Sequence, residues 1–429
     1  MNAFIIKLVV LLTVVAMIVG GFTVLSPSTT MPIEAEINNK GELVLHYSDG
    51  SDQNLGRVKG QQGSEGAAGQ IGSAGADGKD GVITIVPDDS TIPLATAKGL
   101  QSAVSIACMQ GDTPISYGSG VIYKYDKAQG EAFIITNYHV VYNESKNAVN
   151  TDIAVYIYGS EYTALKMNAE YVGGSPTNDI AVLHISDSQV LKNSECAAVT
   201  VADSKKLTIG STAIAVGNAK GMGISASSGI ISVDSEYITM DAFGVSGKLQ
   251  FRVMRMDTAV NPGNSGGGLY NEAGELIGIV NAKSNSTSVE NIAYAIPSDL
   301  AIAVADNIID NCYQKNNVSA LKVTLGITVA ISNSKAIYDN QTGNVKIVEA
   351  IRVSEDPIEG NLAYGKLFKD DVLIGITVGD YTADITRMHH ATEVTLRVRA
   401  GDVIRFKILR EGQEQTVSMT VTKNHLTAC

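Results

Sequence analysis

Between residues 98 and 297 the chain alternates short apolar, β-rich runs with polar turns, and this spacing limits the folds open to it. The clearest runs are residues 103–109, 118–123, 131–137, 152–158, 179–185, 211–217 and 274–282. Many short strands at close spacing predict an all-β barrel or sandwich. A run from Ser298 to Cys312 then predicts a helix with Ser298 as its N-cap, which closes the domain. Its apolar side would carry Leu300, Val304, Ile308 and Ile309.

Three polar residues stand in contexts that together predict a catalytic site. His139 follows an apolar run in TNYHVV, Asp179 begins another in NDIAVL, and Ser265 lies in GNSGG. Each alone is typical of a structural residue, but the order His, Asp, Ser suits a double β-barrel serine protease. A serine hydroxyl needs a base to become a nucleophile, so His139 would act as base and then as acid. Asp179 would orient the imidazole.

The stretch NPGNSGGGL, residues 261–269, surrounds Ser265 with glycines. Glycine costs backbone entropy, so such a cluster indicates either a flexible loop or a turn with an unusual backbone. The second reading predicts an oxyanion hole at Gly263, Asn264 and Ser265, with the N–H groups of Gly263 and Ser265 as the two donors. Gly266 and Gly267 would let a strand pass close behind the nucleophile.

The N-terminal segment predicts export. Residues 8–25 carry no charge and follow Lys7, and their length is near the lower limit for crossing a bilayer. We interpret residues 1–25 as an uncleaved membrane anchor with its N-terminus inside, in preference to a cleaved signal peptide. In either case the remainder of the chain is exported.

Residues 26–59 read as a tether with a possible small hairpin formed by residues 43–47 and 55–58. A strict period of three follows across residues 60–81. Its glycines are Gly60, Gly63, Gly66, Gly69, Gly72, Gly75, Gly78 and Gly81. Such Gly-X-Y spacing suits a collagen-like triple helix, although the segment has no proline, and a flexible linker is the alternative.

The net charge and the cysteine spacing argue against a nucleic-acid-binding protein and a disulfide-bonded one. The formal net charge of −12 argues against a nucleic-acid partner, since nucleic-acid binders usually present a basic face. The four cysteines are scattered without metal-ligand spacing, which favours free or buried thiols over a disulfide framework. The sequence predicts no metal and no cofactor.

Seven motifs in succession make the sequence resemble the HtrA/Deg serine proteases. They are GSGVI at 118–122, TNYHVV at 136–141, NDIAVL at 178–183, and residues 215–232, 256–269, 274–279 and 292–300. The resemblance implies a mostly β protein with a chymotrypsin-like double β-barrel protease domain at 98–312 and a PDZ-like domain at 321–425. It also implies a bacterial, extracytoplasmic, ATP-independent endopeptidase that acts on misfolded or regulatory proteins.

The resemblance assigns further residues. Ala259 would lie at the base of the primary specificity pocket, and Asn281, Ala282 and Lys283 would form the wall beside which the substrate adds as a strand. Because Ala259 is uncharged, we expect cleavage after aliphatic residues. The carboxylate-binding loop for C-terminal peptides would be Leu325, Gly326 and Ile327.

Three positions depart from the family pattern, and a fourth bears on how the protease would be activated. Tyr138 stands where the family usually has Asn, Gly268 where it has Pro or Ala, and Asp370 where its PDZ domains have Gly. Asn264 stands where proteases activated by pro-segment cleavage carry Asp. Since an amide cannot pair ionically with a freed N-terminal amine, we expect the oxyanion loop to be ordered instead by neighbouring loops and the PDZ-like domain.

One assembly state and three possible functions follow from these observations. The family commonly forms trimers and Gly-X-Y repeats need three chains, so we expect a membrane-anchored homotrimer. The main hypothesis is a tethered endopeptidase. The alternatives are a proteolytically silent peptide-binding or holdase protein, and a collagen-like surface protein.

Overall fold

The computed structural model describes residues 32–40, 42–57, 91–157, 165–202, 207–283, 292–339 and 344–429. The predicted anchor at 1–25 and the Gly-X-Y segment at 60–81 lie outside these ranges. None of the helices within the described ranges combines the length and apolar character needed to cross a bilayer. The chain divides into two compact units, Met1–Ile85 and Val86–Cys429.

In the first unit, three strands form an antiparallel sheet in chain order. They are β1 (Pro32–Ile37), β2 (Glu42–Tyr47) and β3 (Asp52–Arg57). The predicted hairpin corresponds to β2 and β3, which pair from Glu42↔Arg57 to His46↔Asp52. The structure extends this hairpin by β1, within the segment that the sequence predicted as a tether, because PIEAEI alternates apolar and charged residues with the period of a strand.

The second unit begins with helix α1 (Thr91–Ser102) and a closed six-stranded barrel. The barrel strands are β4 (Ala103–Gln110), β5 (Thr113–Asp126), β6 (Glu131–Thr136), β9 (Ile153–Ile157), β10 (Lys166–Ser175) and β11 (Ile180–Ile185). Between β6 and β9 lie the short helix α2 (Tyr138–Val141) and a small pair, β7 (Tyr142–Asn143) with β8 (Ala148–Val149). Helix α3 (Gln189–Lys192) follows β11.

A second closed barrel follows, in the order β12-β13-β14-β17-β16-β15. Its strands are β12 (Thr212–Gly217), β13 (Ser225–Asp241), β14 (Lys248–Met256), β15 (Gly268–Tyr270), β16 (Leu276–Lys283) and β17 (Ala293–Pro297). The two barrels give the mostly β protease fold that the sequence predicts. One apolar cluster joins residues of both barrels, such as Ile135 and Ile279, to the helix that follows.

Helix α4 spans Ser298–Cys312 as predicted, and its apolar side is packed against both barrels. The predicted N-cap was wrong, because Pro297 is the N-cap residue and Ser298 is already helical. Strand β17 runs directly into the helix, so the Ser298 side chain is fully buried, and its Oγ has no hydrogen-bond partner among the described residues.

The C-terminal part is a six-stranded sheet with its own apolar core. Its main strands, in the order β19-β20-β21-β23-β24, are β19 (Val329–Asp339), β20 (Asn344–Val353), β21 (Val372–Val378), β23 (Val403–Arg410) and β24 (Gln413–Thr420). Strand β22 (Tyr381–Asp384) pairs with β21, and helix α5 (Met388–Glu393) follows it. Strand β18 (Leu321–Val323) pairs with β25 (Leu426–Ala428).

Two departures from the family pattern have local explanations. A Cβ atom on Gly268 would lie 2.4 Å from the hydroxyl of Tyr270, whose fully buried side chain fills that space. The same hydroxyl is hydrogen-bonded to Ser102 Oγ at 2.8 Å. Asp370 has φ +71°, a left-handed backbone that glycine adopts without strain and aspartate tolerates better than most residues.

All four cysteines are buried and free, as predicted.

Candidate active site

His139 and Asp179 are joined by two hydrogen bonds. Helix α2 places His139 directly after β6, and Asp179 precedes β11 in a left-handed turn with φ +50°. The imidazole Nδ1 lies 2.7 Å from Asp179 Oδ2, and the backbone N–H of His139 donates to Oδ1 at 2.9 Å. The Asn137 amide donates to the carbonyl oxygen of Asp179 at 2.9 Å, which holds the turn. The carboxylate therefore fixes both the backbone and the ring of His139.

Asn281 supplies a third donor to this buried carboxylate. Its Nδ2 donates to Asp179 Oδ2 at 2.6 Å, and the Asn281 side chain is itself buried. Sequence analysis assigned Asn281 to the substrate wall and gave it no contact with Asp179. The structure places it at the end of β16, where its side chain orients Asp179.

The carboxylate also alters the basicity of His139. Burial of the ring disfavours its protonated form, but the neighbouring Asp179 charge and hydrogen bond outweigh burial and raise the pKa of His139 above its ordinary value. A histidine with a raised pKa is a stronger base for a serine hydroxyl. This is the electrostatic arrangement that general-base chemistry requires.

Ser265 opens onto the same pocket, but its hydroxyl is turned away from the histidine. Its Oγ donates to the backbone carbonyl of Asn281 at 2.9 Å, and no hydrogen bond to His139 is formed. The structure thus brings the three predicted residues together while leaving the serine–histidine contact unmade. Rotation of the Ser265 side chain is needed before proton transfer.

The turn before Ser265 is arranged around free backbone donors. Gly263 has φ +99°, and within the described residues no backbone acceptor takes up the N–H of Gly263 or of Ser265. Asn264 was predicted as part of the oxyanion hole but not as one of its two donors, and its N–H donates to the carbonyl of Asn261 at 3.0 Å. That hydrogen bond closes the turn, and the N–H groups of Gly263 and Ser265 remain as candidate donors to an oxyanion.

Ser119 holds this turn from the other barrel, and sequence reasoning did not identify it. Its hydroxyl donates to the carbonyl of Gly263 at 2.7 Å, and its N–H donates to the carbonyl of Ser265 at 2.9 Å. The same hydroxyl accepts from the N–H of Asn218 at 2.7 Å. The motif GSGVI contained this signal, since its serine lies on a buried strand where a hydroxyl needs partners.

The glycines after Ser265 are required by close contacts. A Cβ on Gly266, which has φ +86°, would lie 2.2 Å from the carbonyl oxygen of Ser119, and one on Gly267 would lie 2.4 Å from that of Val216. The backbone behind the nucleophile therefore packs directly against both barrels.

A pocket of about 240 Å³ adjoins the three residues. Besides these, it is lined by Pro176, Met240, Asp241, Phe243, Phe251, Val260, Asn261, Pro262 and Asn281. Ala259, predicted at its base, is exposed and does not line it, whereas its neighbour Val260 does. Ala259 is therefore outside the lining of this pocket. The described pocket walls remain largely apolar.

Aromatic residues crowd His139. The ring of Phe243 lies 5.4 Å from the His139 ring, and Tyr138 stacks on Tyr142 at 5.5 Å. Tyr138 is buried between Gly174 and Gly244, where added Cβ atoms would approach its ring within 2.6 and 3.2 Å. The two glycines thus leave room for Tyr138 at the position where the family usually has Asn.

Ala282 and Lys283, predicted with Asn281 as the substrate wall, lie at the end of β16, and their side chains are outside the described part of the chain.

The loop of Leu325, Gly326 and Ile327 precedes β19, an edge strand. Gly326 has φ +74°, and a Cβ there would lie 2.2 Å from Asn361 Cβ. Within the described residues no backbone acceptor takes up the N–H groups of the three, while the carbonyl of Leu325 accepts from Ala363 at 3.0 Å. The loop offers backbone donors beside a free strand edge.

A buried cation connects the second barrel to helix α5. Arg252 donates to Glu393 Oε2 at 2.8 Å and to Asp299 Oδ1 at 2.8 Å. Burial, which the Arg252 charge only partly offsets, raises the pKa of Glu393 to about 7. Burial, together with the charge of Arg252, lowers the pKa of His389 in the same helix. Sequence reasoning identified none of these contacts.

Comparison with known proteins gives consistent results. The family model described as "Trypsin-like peptidase domain" matches residues 118–279. The chain is 29% identical to "Serine protease Do-like HtrB" of Bacillus subtilis over 71% of this chain and 62% of that protein, slightly less than two thirds of its length. It is 31% identical to "Serine protease Do-like HtrA" of Lactococcus lactis subsp. lactis over 72% and 71%. The solved structure "HtrA-type protease AlgW with tripeptide" is 26% identical, with a TM-score of 0.49, over 78% and 97%.

Proposed function

The chain belongs to the HtrA family of trypsin-like serine proteases, and on that premise we propose that it is an endopeptidase with Ser265 as nucleophile, His139 as acid and base, and Asp179 as the residue that orients His139. The observation that carries the proposal is the contact of the Asp179 carboxylate with the His139 ring at 2.7 Å, beside a pocket that also contains Ser265.

The reaction would begin with rotation of the Ser265 hydroxyl from the Asn281 carbonyl to Nε2 of His139. His139 accepts the proton as Oγ attacks the peptide carbonyl carbon, and the imidazolium is stabilised by Asp179. The N–H groups of Gly263 and Ser265 bind the oxyanion, and one such donor typically stabilises a transition state by about 3 kcal/mol. His139 then protonates the leaving amine, and water hydrolyses the acyl-enzyme by the reverse proton transfers.

The C-terminal sheet supports a role in peptide binding. We assign residues 321–425 to a PDZ-like domain in which Leu325, Gly326 and Ile327 receive a terminal carboxylate while the peptide pairs with the edge of β19. The Arg252–Glu393 contact joins α5 to the second barrel, which gives such binding a route to the protease. Substrates would be unfolded or regulatory exported proteins.

The N-terminal sequence supports attachment to the membrane. Residues 1–25 would anchor the chain, with the protease outside the cell membrane, and the protein would be a homotrimer. A wound Gly-X-Y segment of 22 residues would be roughly 65–70 Å long at about 3.1 Å per residue. Sedimentation of a chain starting at Ser26 tests the assembly, and a monomer would overturn both the trimer and the triple helix.

A fluorophosphonate probe tests the catalytic proposal against the two alternatives, a silent binding protein and a collagen-like surface protein. We expect labelling of the wild type and of Ser332→Ala, an exposed serine on β19, but not of Ser265→Ala. His139→Ala should also lose casein hydrolysis while keeping the wild-type circular dichroism spectrum. Wild-type turnover by either active-site variant would refute the proposal.

A further inference from the structure

The turn that carries Asp179 begins at a fully buried serine. Strand β10 ends at Ser175 and β11 starts at Ile180, so the turn runs from Ser175 to Asp179. The Nδ2 of Asn178 donates to Ser175 Oγ at 2.8 Å, and the N–H of Asn178 donates to the Ser175 carbonyl at 3.2 Å. These two hydrogen bonds fix the residue directly before Asp179.

Cavities border this turn on two sides. Pro176 and Asp179 line the active-site pocket, whereas Thr177 and Asn178 line a second cavity of about 230 Å³. Open space on two sides leaves the turn with fewer packed side chains, so its position depends more on its hydrogen bonds.

The segment that joins α4 to the C-terminal sheet supports the start of the turn. The N–H of Gly174 donates to the carbonyl of Val318 at 3.0 Å, and the N–H of Ala320 donates to the carbonyl of Gly174 at 2.9 Å. A Cβ on Gly173 would lie 2.8 Å from Cys312 Sγ. The missing side chain therefore lets α4 and the joining segment approach β10 closely.

Cys429, which follows β25, carries this support to the Ser175 side chain. Its N–H and its thiol donate to the Ala320 carbonyl at 3.0 and 3.6 Å, and the Ser175 hydroxyl donates to its sulfur at 3.7 Å. Burial raises the pKa of the Cys429 thiol, which therefore stays protonated and can donate. A continuous series of hydrogen bonds thus runs from Ala320 through Cys429 and Ser175 to Asn178.

We propose that Ser175 is a positioning residue for Asp179, and that Cys429, by binding the Ser175 hydroxyl, makes the C-terminal sheet part of the support of the Asp179 carboxylate. This inference rests on the proposed function. Ser175 contacts neither the substrate nor His139, and it acts through the backbone of the turn. A turn that is held less firmly weakens the contact of Asp179 with His139, and with it the orientation and the basicity of the imidazole.

Ser175→Ala, made in the full chain, removes the hydroxyl that binds both Asn178 and Cys429. We expect kcat on a peptide p-nitroanilide with valine before the cleaved bond to fall about three- to tenfold, with KM unchanged, because hydrogen bonds between neutral groups are lost. The acidic midpoint of the kcat/KM profile should move to lower pH, since Asp179 then raises the pKa of His139 less. Cys429→Ala should change both quantities in the same direction, by a smaller amount.

The matched control is Ser194→Ala. Ser194 is also a buried serine, and its hydroxyl donates to the carbonyl of Leu191 at 2.9 Å, beside helix α3 and outside the proposed active site. Its loss should lower the Tm but leave kcat and the midpoint unchanged. Asn178→Ala removes the partner amide at a half-buried position, and it provides the same test if Ser175→Ala does not fold.

The outcomes separate the inference from its premise. A lower kcat and a lower midpoint in Ser175→Ala and Cys429→Ala, but not in Ser194→Ala, support it. Wild-type values in Ser175→Ala or in Asn178→Ala overturn the positioning role, and wild-type values in Cys429→Ala alone overturn the part of the C-terminal sheet. The proposed function stands in each of these cases. A wild type that neither hydrolyses the peptide nor reacts with the fluorophosphonate probe overturns the proposed function itself.

Discussion

The side-chain amide of Asn281 binds the carboxylate of Asp179 at 2.6 Å, across a separation of 102 positions in the chain. The backbone carbonyl of the same asparagine holds the Ser265 hydroxyl at 2.9 Å. Asn281 therefore contacts both ends of the proposed triad, and its side chain and backbone have separate roles.

Asn281→Ala removes only the side-chain contact, and we expect kcat to fall while KM changes little. A hydrogen bond to a charged group contributes about 1.5–3 kcal/mol, so the fall should be on the order of 10- to 100-fold. Asn281→Ser retains a donor and should recover part of the loss. Steady-state kinetics on one peptide substrate measures both constants, and an unchanged kcat in Asn281→Ala would contradict this role.

The raised pKa of His139 predicts the acidic limb of the pH–rate profile. The base must be neutral, so kcat/KM should fall as the pH drops through a midpoint above the ordinary histidine value. Asp179→Asn removes the charge that raises the pKa, so the midpoint should move to lower pH, and kcat should fall by about 10⁴. The profile is measured with both proteins on the same substrate. If the midpoint of the acidic limb is the same in Asp179→Asn and in the wild type, Asp179 does not raise the pKa of His139.

Cleavage should follow Val, Ala, Ile or Leu rather than Lys or Arg. The reason is that Val260, Phe251 and Met240 give the pocket an apolar wall. Mass spectrometry of casein fragments identifies the residue before each cut. Val260→Asp should shift cleavage toward basic residues, and a wild-type preference for Lys or Arg would rule out the assignment.

Glu393 predicts a pH dependence of stability. Its pKa is raised from 4.5 to about 7 in the folded state, so its contribution is present below pH 4.5 and is lost as the pH rises through 7. Glu393→Gln cannot lose a proton. The Tm of this variant minus that of the wild type should therefore increase between pH 5 and pH 8. Glu414→Gln, which removes an exposed glutamate of β24 that pairs with Lys407 at 2.6 Å, controls for the loss of a surface charge.

Asp370 offers a test of backbone strain. Asp370→Ala and Asp370→Gly both remove the surface ion pair with Arg352, so that loss cancels between them. Only alanine is strained at φ +71°, and we expect it to be less stable than the glycine variant by about 1 kcal/mol. Urea denaturation compares the two. Equal midpoints would mean that the left-handed turn relaxes.

The features that could be predicted from the sequence are those that depend on local sequence patterns. The barrel strands follow from apolar runs, and the three residues of the proposed triad from short motifs around them. What was missed depends on contacts between distant segments. Ser119 and Gly263 are 144 positions apart, and Arg252 meets Glu393 across 141. No periodicity encodes such a partner.

The errors near the site have equally specific causes. Val260 rather than Ala259 lines the described pocket, and a motif could not predict this because it gives position along the chain but not which side of it faces the pocket. The hydrogen bond of the Asn264 N–H to Asn261 was not predicted, because it exists only once the turn has closed. Strand β1 was missed because its proline and charges are typical of a linker.

The hydrogen bonds of Ser119 have a consequence for when during its maturation the chain becomes active. The nucleophile turn belongs to the second barrel, yet its carbonyl groups are held by a serine of the first. A chain that has folded only its first half has no nucleophile, and a second half alone has a turn without its support. Both barrels must therefore be folded and packed together before the turn has its full set of hydrogen bonds.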